Sequence, residues 1–173
     1  MKANLTYLKT LNPDIFGYIY IDGTKISFPI VQGEDNDYYL NHAYTGEYMI
    51  VGSIFADCRA DKNMDYNRNT VFYGHNMNDG NINNTLIEIY TFDGIYTYEP
   101  FAIFDTINTF QYFRMDFEGD DDFVSFCEQM QSKSNFNKKM SFTGDDHIIT
   151  LSTCTNVGNG RYALHAKLVK VER

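Results

Sequence analysis

Apolar residues recur along most of the chain in short, often alternating runs broken by Gly, Asn, Asp and Pro, a pattern of strands and turns. Two stretches carry helical spacing instead. Leu5, Leu8 and Leu11 precede Asn12-Pro13-Asp14, so Lys2 to Leu11 reads as a short helix packed on the body of the domain. Phe123, Phe126, Cys127 and Met130 fall on one helical face, which makes Asp121 to Gln131 the clearest helix. Asp120 to Asp122 put negative charge at its N-terminal end, where the helix dipole favours it.

Strand-like runs are expected at Gly17 to Ile21 and Ile26 to Val31, joined as a hairpin through Asp22-Gly23. Pro29 points to an edge or a bulge in the second of these. A helical turn capped by Asp35 or Asn36 is expected over Asp35 to His42, and a short helix over Asn84 to Tyr90. Further strands are expected at Met49 to Phe55, Thr70 to Gly74, Ile95 to Tyr98, Phe101 to Ile107 and Phe110 to Met115. Arg59 to Asn69 reads as a polar loop. The final strands, His147 to Thr153 and Arg161 to Val171, flank a Gly/Asn-rich loop, Thr155 to Gly160. The sum is one mostly β domain, closed or nearly closed into a barrel.

Composition agrees with this. The chain has 173 residues, enough for one real core, with 43% hydrophobic and 16% aromatic residues. The formal net charge of −9 argues against a nucleic-acid partner, which would need a basic patch to displace counterions. It also disfavours docking on anionic lipid. Neither a signal-peptide pattern nor a run long enough to span a membrane is present. The three cysteines, Cys58, Cys127 and Cys154, form no CxxC pair and no metal-ligand spacing with histidine, so no metal and no cofactor is expected.

Three residues could do chemistry together. Cys154 ends a strand-like run and opens onto a loop, a place where a nucleophile is held from behind and open in front. On position alone it fits a buried core thiol equally well. His75 follows the strand-like Val71 to Gly74, where Gly74 would allow a sharp turn or a close approach. It could pass protons to and from an amine, although an ordinary loop histidine is the simpler reading of its position. Arg161 opens the last strand, and if the last two strands are neighbours it returns beside Cys154, where a guanidinium could stabilise an oxyanion. Singly, it reads as a solvated arginine. His42 and His147 have no obvious partners, His165 reads as structural, Cys127 belongs to the helix core, and Asn78-Asp79-Gly80 resembles a turn.

The order of these residues within their motifs is more specific than any one of them. Tyr73-Gly-His-Asn-Met77, Thr150-Leu-Ser-Thr-Cys154 and then Arg161 resemble the sortase signature. Gly17 to Asp22, Phe28 to Gly33, Asp35 to Leu40, Gly52 to Asp57 and Arg161 to Leu168 resemble class B sortases, so the likeness runs from about Asn12 to Val169. It implies a closed eight-stranded β-barrel, with residues 1–11 as an N-terminal helix of the same domain, 12–173 as the sortase catalytic domain, and a longer helix between late strands. It implies a cysteine transpeptidase in which Cys154, His75 and Arg161 are catalytic and Tyr73, Ser152, Thr153, Asn36 and Leu40 line the peptide groove. The sorting signal of a secreted surface protein would be cleaved through a thioacyl-enzyme and passed to a cell-wall precursor amine, at the extracellular face of the membrane, with any anchor outside these residues.

The block Asn78 to Thr85 lacks a Met-Phe pair often seen in class B, and the loop from Cys154 to Arg161 is short for the class. A pilus-polymerising sortase, with a pilin lysine as acceptor, is the first alternative. A cell-wall cysteine hydrolase fits less well, because the His-before-Cys order and the strand before Cys154 depart from papain-like and L,D-transpeptidase-like patterns.

Overall fold

The structure, a computed structural model, describes residues 4–75, 85–107, 109–135, 138–154 and 160–173. The expected Asn78-Asp79-Gly80 turn and most of the Thr155 to Gly160 loop lie outside them.

Helix α1 (Leu5–Leu11) is capped by Asn4, whose side chain accepts from the Tyr7 amide at 3.0 Å. Eight strands follow in chain order: β1 (Ile15–Ile21), β2 (Ser27–Val31), β3 (Ile54–Ala56), β4 (Asn69–His75), β5 (Ile87–Thr91), β6 (Ile95–Ile107), β7 (Ile148–Cys154) and β8 (Gly160–Glu172). Helix α2 (Asp120–Lys133) lies between β6 and β7. The strands close into a barrel in the order β1-β2-β3-β4-β7-β8-β6-β5, as the sortase resemblance implies. Only the β2–β3 and β4–β7 pairs are parallel.

Strand alternation decides which side chains fill the barrel. Ile19, Ile21, Phe72, Ile87, Ile89, Ile149 and Leu164 form its inner core. On the outer wall a second cluster joins Phe101, Phe104, Ile148 and Ala163 to Phe123, Phe126, Cys127 and Met130 of α2, the helical face expected from the sequence. A smaller cluster of Ile15, Val31, Tyr39 and Phe55 receives Leu8 of α1.

Four expectations need correction. Asn84 to Tyr90 is not a helix over its described part: Ile87 and Ile89 are buried while Glu88 and Tyr90 are half-buried, and this period of two makes β5. Of Met49 to Phe55, only Ile54 and Phe55 are in a strand. Residues before them turn, with the Gly52 amide donating to the Met49 carbonyl at 2.8 Å. Gly52 has φ of 57°, and a Cβ there would stand 2.3 Å from the Tyr39 carbonyl oxygen, so the turn requires glycine. Phe110 to Met115 forms no strand: its backbone turns, with the Phe110 amide donating to the Ile107 carbonyl at 3.1 Å and the Tyr112 amide to the Phe110 carbonyl at 2.8 Å. Its aromatics Phe110, Tyr112 and Phe113 pack on the α2 cluster through their side chains instead. The expected pair Ile95 to Tyr98 and Phe101 to Ile107 is one strand with register shifts at Thr97/Tyr98 and Pro100/Ala102.

Pro29 sits where β2 has an open side, as expected of an edge, and not at the bulge, which falls in β1 between Ile15 and Gly17. It pairs with Tyr18, and the parallel pairing with β3 starts only at Ile30, so no ladder bond to β3 needs its missing N–H.

Beneath α2 a polar chain crosses the wall. Thr150 donates to Asn69 Oδ1 at 2.9 Å and meets His165 Nδ1 at 3.0 Å. Since the Thr150 proton is committed to Asn69, His165 Nδ1 must carry the proton donated to Thr150. The ring is fully buried and stacks on Phe104, and burial depresses its pKa to about 3. As pH falls below the unfolded histidine value, the unfolded chain takes up a proton that the folded chain refuses, so stability present near neutrality is lost progressively towards pH 3. Going from pH 7.5 to 5.5 should therefore cost the native protein about 1.4 kcal/mol more than His165→Phe loses. Urea denaturation at the two pH values measures it, and equal losses would show that His165 accepts a proton in the fold.

Candidate active site

The barrel register assembles the candidate chemistry. Parallel β4 and β7 pair His75 with Cys154, and antiparallel β7 and β8 pair Cys154 with Arg161. The three sequence candidates thus occupy one transverse row on three neighbouring strands, with β7 in the middle. Strand spacing is about 4.8 Å, which puts the three backbones within side-chain reach of one another. His75 and Cys154 are described through their backbone alone. Arg161 is half-buried, and its Nη1 donates to the Gly160 carbonyl at 2.9 Å. Gly74 makes no sharp turn: it continues β4 opposite Thr153, where a Cβ would rest in ordinary contact with Ile54.

Tyr73 and Ser152 form the transverse row two residues behind, completed by Ala163. Ser152 is buried, and its hydroxyl meets that of Tyr112 at 2.7 Å. Tyr112 therefore covers the strands just behind the candidate nucleophile, brought there by the aromatic segment that follows β6. Thr153 lies in the intervening row with Gly74 and Tyr162, and its buried hydroxyl has no partner among the described residues. Asn36 and Leu40 sit on the connection between β2 and β3. The Asn36 side chain accepts from the Cys58 amide at 2.8 Å, while Leu40 ends a single 3-10 turn and is exposed. Asp35, one of the two expected caps, receives the amides of Asp37 and Tyr38 at 2.9 and 2.8 Å.

The structure adds a buried charge that the residue-by-residue reading passed over. The Asp57 carboxylate, directly after β3, has no solvent exposure and accepts four hydrogen bonds. Its Oδ1 takes the Arg59 amide at 3.0 Å and Arg59 Nε at 2.8 Å; its Oδ2 takes Arg59 Nη2 at 2.8 Å and the Tyr73 hydroxyl at 2.9 Å. Burial pushes the carboxyl pKa up, but the Arg59 and Tyr73 hydrogen bonds outweigh it and hold it at about 2. Burial, with the charge of Asp57 next, raises the Tyr73 phenol well above its ordinary value. The sequence signal was an acid closing an apolar run with an arginine two residues on, since a buried carboxylate requires a partner. The remaining histidines also have partners: His42 Nδ1 lies 2.7 Å from the Tyr38 carbonyl and His147 Nδ1 2.8 Å from that of Asn67. Cys127 is buried among apolar groups that push its thiol up to about 12, so it is an inert core residue. Among the described residues no cluster could hold a metal ion, and no helix is long and apolar enough to cross a membrane.

A closed barrel carrying a His–Cys–Arg row defines a class of cysteine acyl-transfer protein, and comparison with known proteins makes it particular. The Sortase domain family matches residues 19–169. Sortase B of Listeria monocytogenes is 36% identical over 98% of this chain and 75% of its own length. The Staphylococcus aureus sortase B–substrate complex superposes with a TM-score of 0.86 at 32% identity, covering 97% of this chain and 85% of that one. Clostridium perfringens sortase B gives 0.85 at 30% identity over 95% of this chain and 99% of that one. The chain belongs to the sortase family, on the class B side of it, and is a cysteine transpeptidase.

Asp57 should matter first to stability. Asp57→Asn would break the fork with Arg59 and cost on the order of 2 kcal/mol at pH 7. A carboxyl held at about 2 contributes stability that is complete above its unfolded value near 3.8 and lost as pH falls through 2. The difference between native and variant proteins in urea denaturation should therefore narrow from pH 5 towards pH 2. A constant gap would assign the loss to packing.

Proposed function

We propose that this sortase cleaves the C-terminal sorting motif of secreted surface proteins at Cys154 and passes the acyl group to an amine of a cell-wall precursor. The observation that carries the reading is the register His75–Cys154–Arg161 across β4, β7 and β8. In the first half-reaction the Cys154 thiolate attacks the scissile carbonyl, and the new C–S bond forms as the oxygen takes up negative charge. The Arg161 guanidinium stands ready to donate to that oxygen. Collapse breaks the C–N bond, and the His75 imidazolium gives its proton to the leaving amine, so this half is a thiol-peptidase step. In the second half neutral His75 removes a proton from the incoming amine, which attacks the thioester and releases Cys154.

Tyr73, Ser152, Thr153, Asn36 and Leu40 are proposed to line the groove that presents the motif. The likeness to a sortase B caught with substrate supports a peptide partner. The sortase B relatives favour wall anchoring over polymerisation through a pilin lysine. The reaction belongs at the outer face of the cell membrane, where an anchor outside these residues would hold the enzyme.

Cys154→Ala should leave the fold intact and reduce cleavage of a sorting peptide to background, with no thioacyl adduct by mass spectrometry across a library of candidate peptides. Arg161→Ala should lower kcat by roughly 100- to 1000-fold, the usual cost of a lost oxyanion donor, and His75→Ala should be similarly severe. Substantial turnover by Cys154→Ala would remove the proposal.

A further inference from the structure

Tyr73 is held at both ends. Its ring packs on Phe55 with centroids 5.2 Å apart, and its hydroxyl lies 2.9 Å from Asp57 Oδ2. The direction of that hydrogen bond is not free. Asp57 is buried and gripped by both a backbone amide and the guanidinium of Arg59, so it is ionised and can only accept. The phenol proton is therefore committed to Oδ2. The carboxylate has no position left to trade, because each oxygen already receives two donors.

What remains of the Tyr73 hydroxyl for any ligand is a pair of oxygen lone pairs. Tyrosine is ordinarily ambivalent, able to donate or accept as a ligand demands. Here the buried charge removes the ambivalence. Tyr73 is partly exposed, shares a transverse row with Ser152, and stands two residues before His75 on β4. An acceptor fixed there favours an N–H and discriminates against a carboxylate or an ester oxygen, which would meet lone pairs with lone pairs.

We infer that Tyr73 is a specificity-determining residue whose oxygen, made acceptor-only by the Asp57–Arg59 pair, takes an N–H donor of the sorting peptide. The inference rests on the proposed peptide-cleaving role of this site and names the chemistry one wall of its groove selects. Arg59 and Asp57 act through Tyr73 and are positioning residues.

The test is a cycle between enzyme and peptide. A sorting peptide that acylates native Cys154 is remade with each backbone N–H in turn replaced by an ester oxygen, and with each side-chain carboxamide replaced in turn by a carboxylate. kcat/KM is measured for the native enzyme and for Tyr73→Phe, which keeps the ring. Tyr73→Phe should lower kcat/KM for the parent peptide roughly three- to thirty-fold, the worth of one hydrogen bond in a partly dry site. One replacement should cost the native enzyme at least that factor and cost Tyr73→Phe almost nothing. A backbone replacement in that role identifies a peptide N–H as the donor, and a carboxamide replacement identifies a side chain. If every replacement costs both enzymes equally, or Tyr73→Phe matches native activity, the inference is overturned while the thioacyl chemistry stands. Failure of every peptide to acylate native Cys154 would overturn the underlying reading itself.

Discussion

The parallel pairing of β4 with β7 is the constraint on which the site depends. In a closed barrel each strand has two committed neighbours, so the order β4-β7-β8 leaves no freedom in which residues stand side by side. Because β4 and β7 run the same way, both end at the same rim, and the ends are His75 and Cys154. Because β8 runs back, its start meets the end of β7, and Arg161 falls beside Cys154. A slip of one residue would turn a strand's whole set of side chains to the opposite face. The apolar inward faces of Phe72, Ile149 and Leu164 make such a slip costly, and so the core that stabilises the barrel also fixes the spacing of the site.

The outward face of the same strands is polar in an ordered way. The His75–Cys154–Arg161 row is followed inward by Tyr73 and Ser152 and then by the Thr150–His165 pair with Asn69. Each row is closed by a different element. Tyr112 lies over Ser152, while α2 and Phe104 cover His165. Polar groups buried under aromatic side chains must be satisfied, and most of these are, which makes this wall rigid as well as dry. Rigid backing is what a thiol nucleophile at a strand end requires.

Legibility in the sequence followed the physics of each segment. The α2 face could be read because Phe123, Phe126, Cys127 and Met130 meet one apolar surface and nothing competes with their helical period. Asn84 to Tyr90 misled because a short apolar run fits two periods, and pairing with both β1 and β6 decided for the strand. Met49 to Phe55 reads as a strand by composition, yet Ile50 is among the most exposed apolar residues, held in a turn that Gly52 permits. For the site, the motif order supplied His75, Cys154 and Arg161, but only tertiary pairing places them in a row. Tyr112 could not be found from its spacing, because it reaches Ser152 across 40 residues of chain. Asp57 sat inside a recognised block, and its role emerges only when burial shows that its charge must be shared.

That shared charge also bears on how the proposed reaction holds its protons. A histidine acting on a nucleophile is often oriented by a carboxylate. Asp57 follows β3, which pairs with β4, and is the obvious acid to suspect in that role, but its four acceptor positions are filled by Arg59 and Tyr73. A saturated carboxylate held at a pKa of about 2 neither accepts another donor nor exchanges a proton near neutrality. The charged residue in register with Cys154 on the neighbouring strand is instead Arg161. A neighbouring cation favours the thiolate over the thiol, and after attack the same cation faces the oxyanion into which that charge has moved. Within the proposed mechanism Arg161 therefore meets the negative charge in both places, and the buried Asp57 carboxylate is left to decide what Tyr73 can recognise.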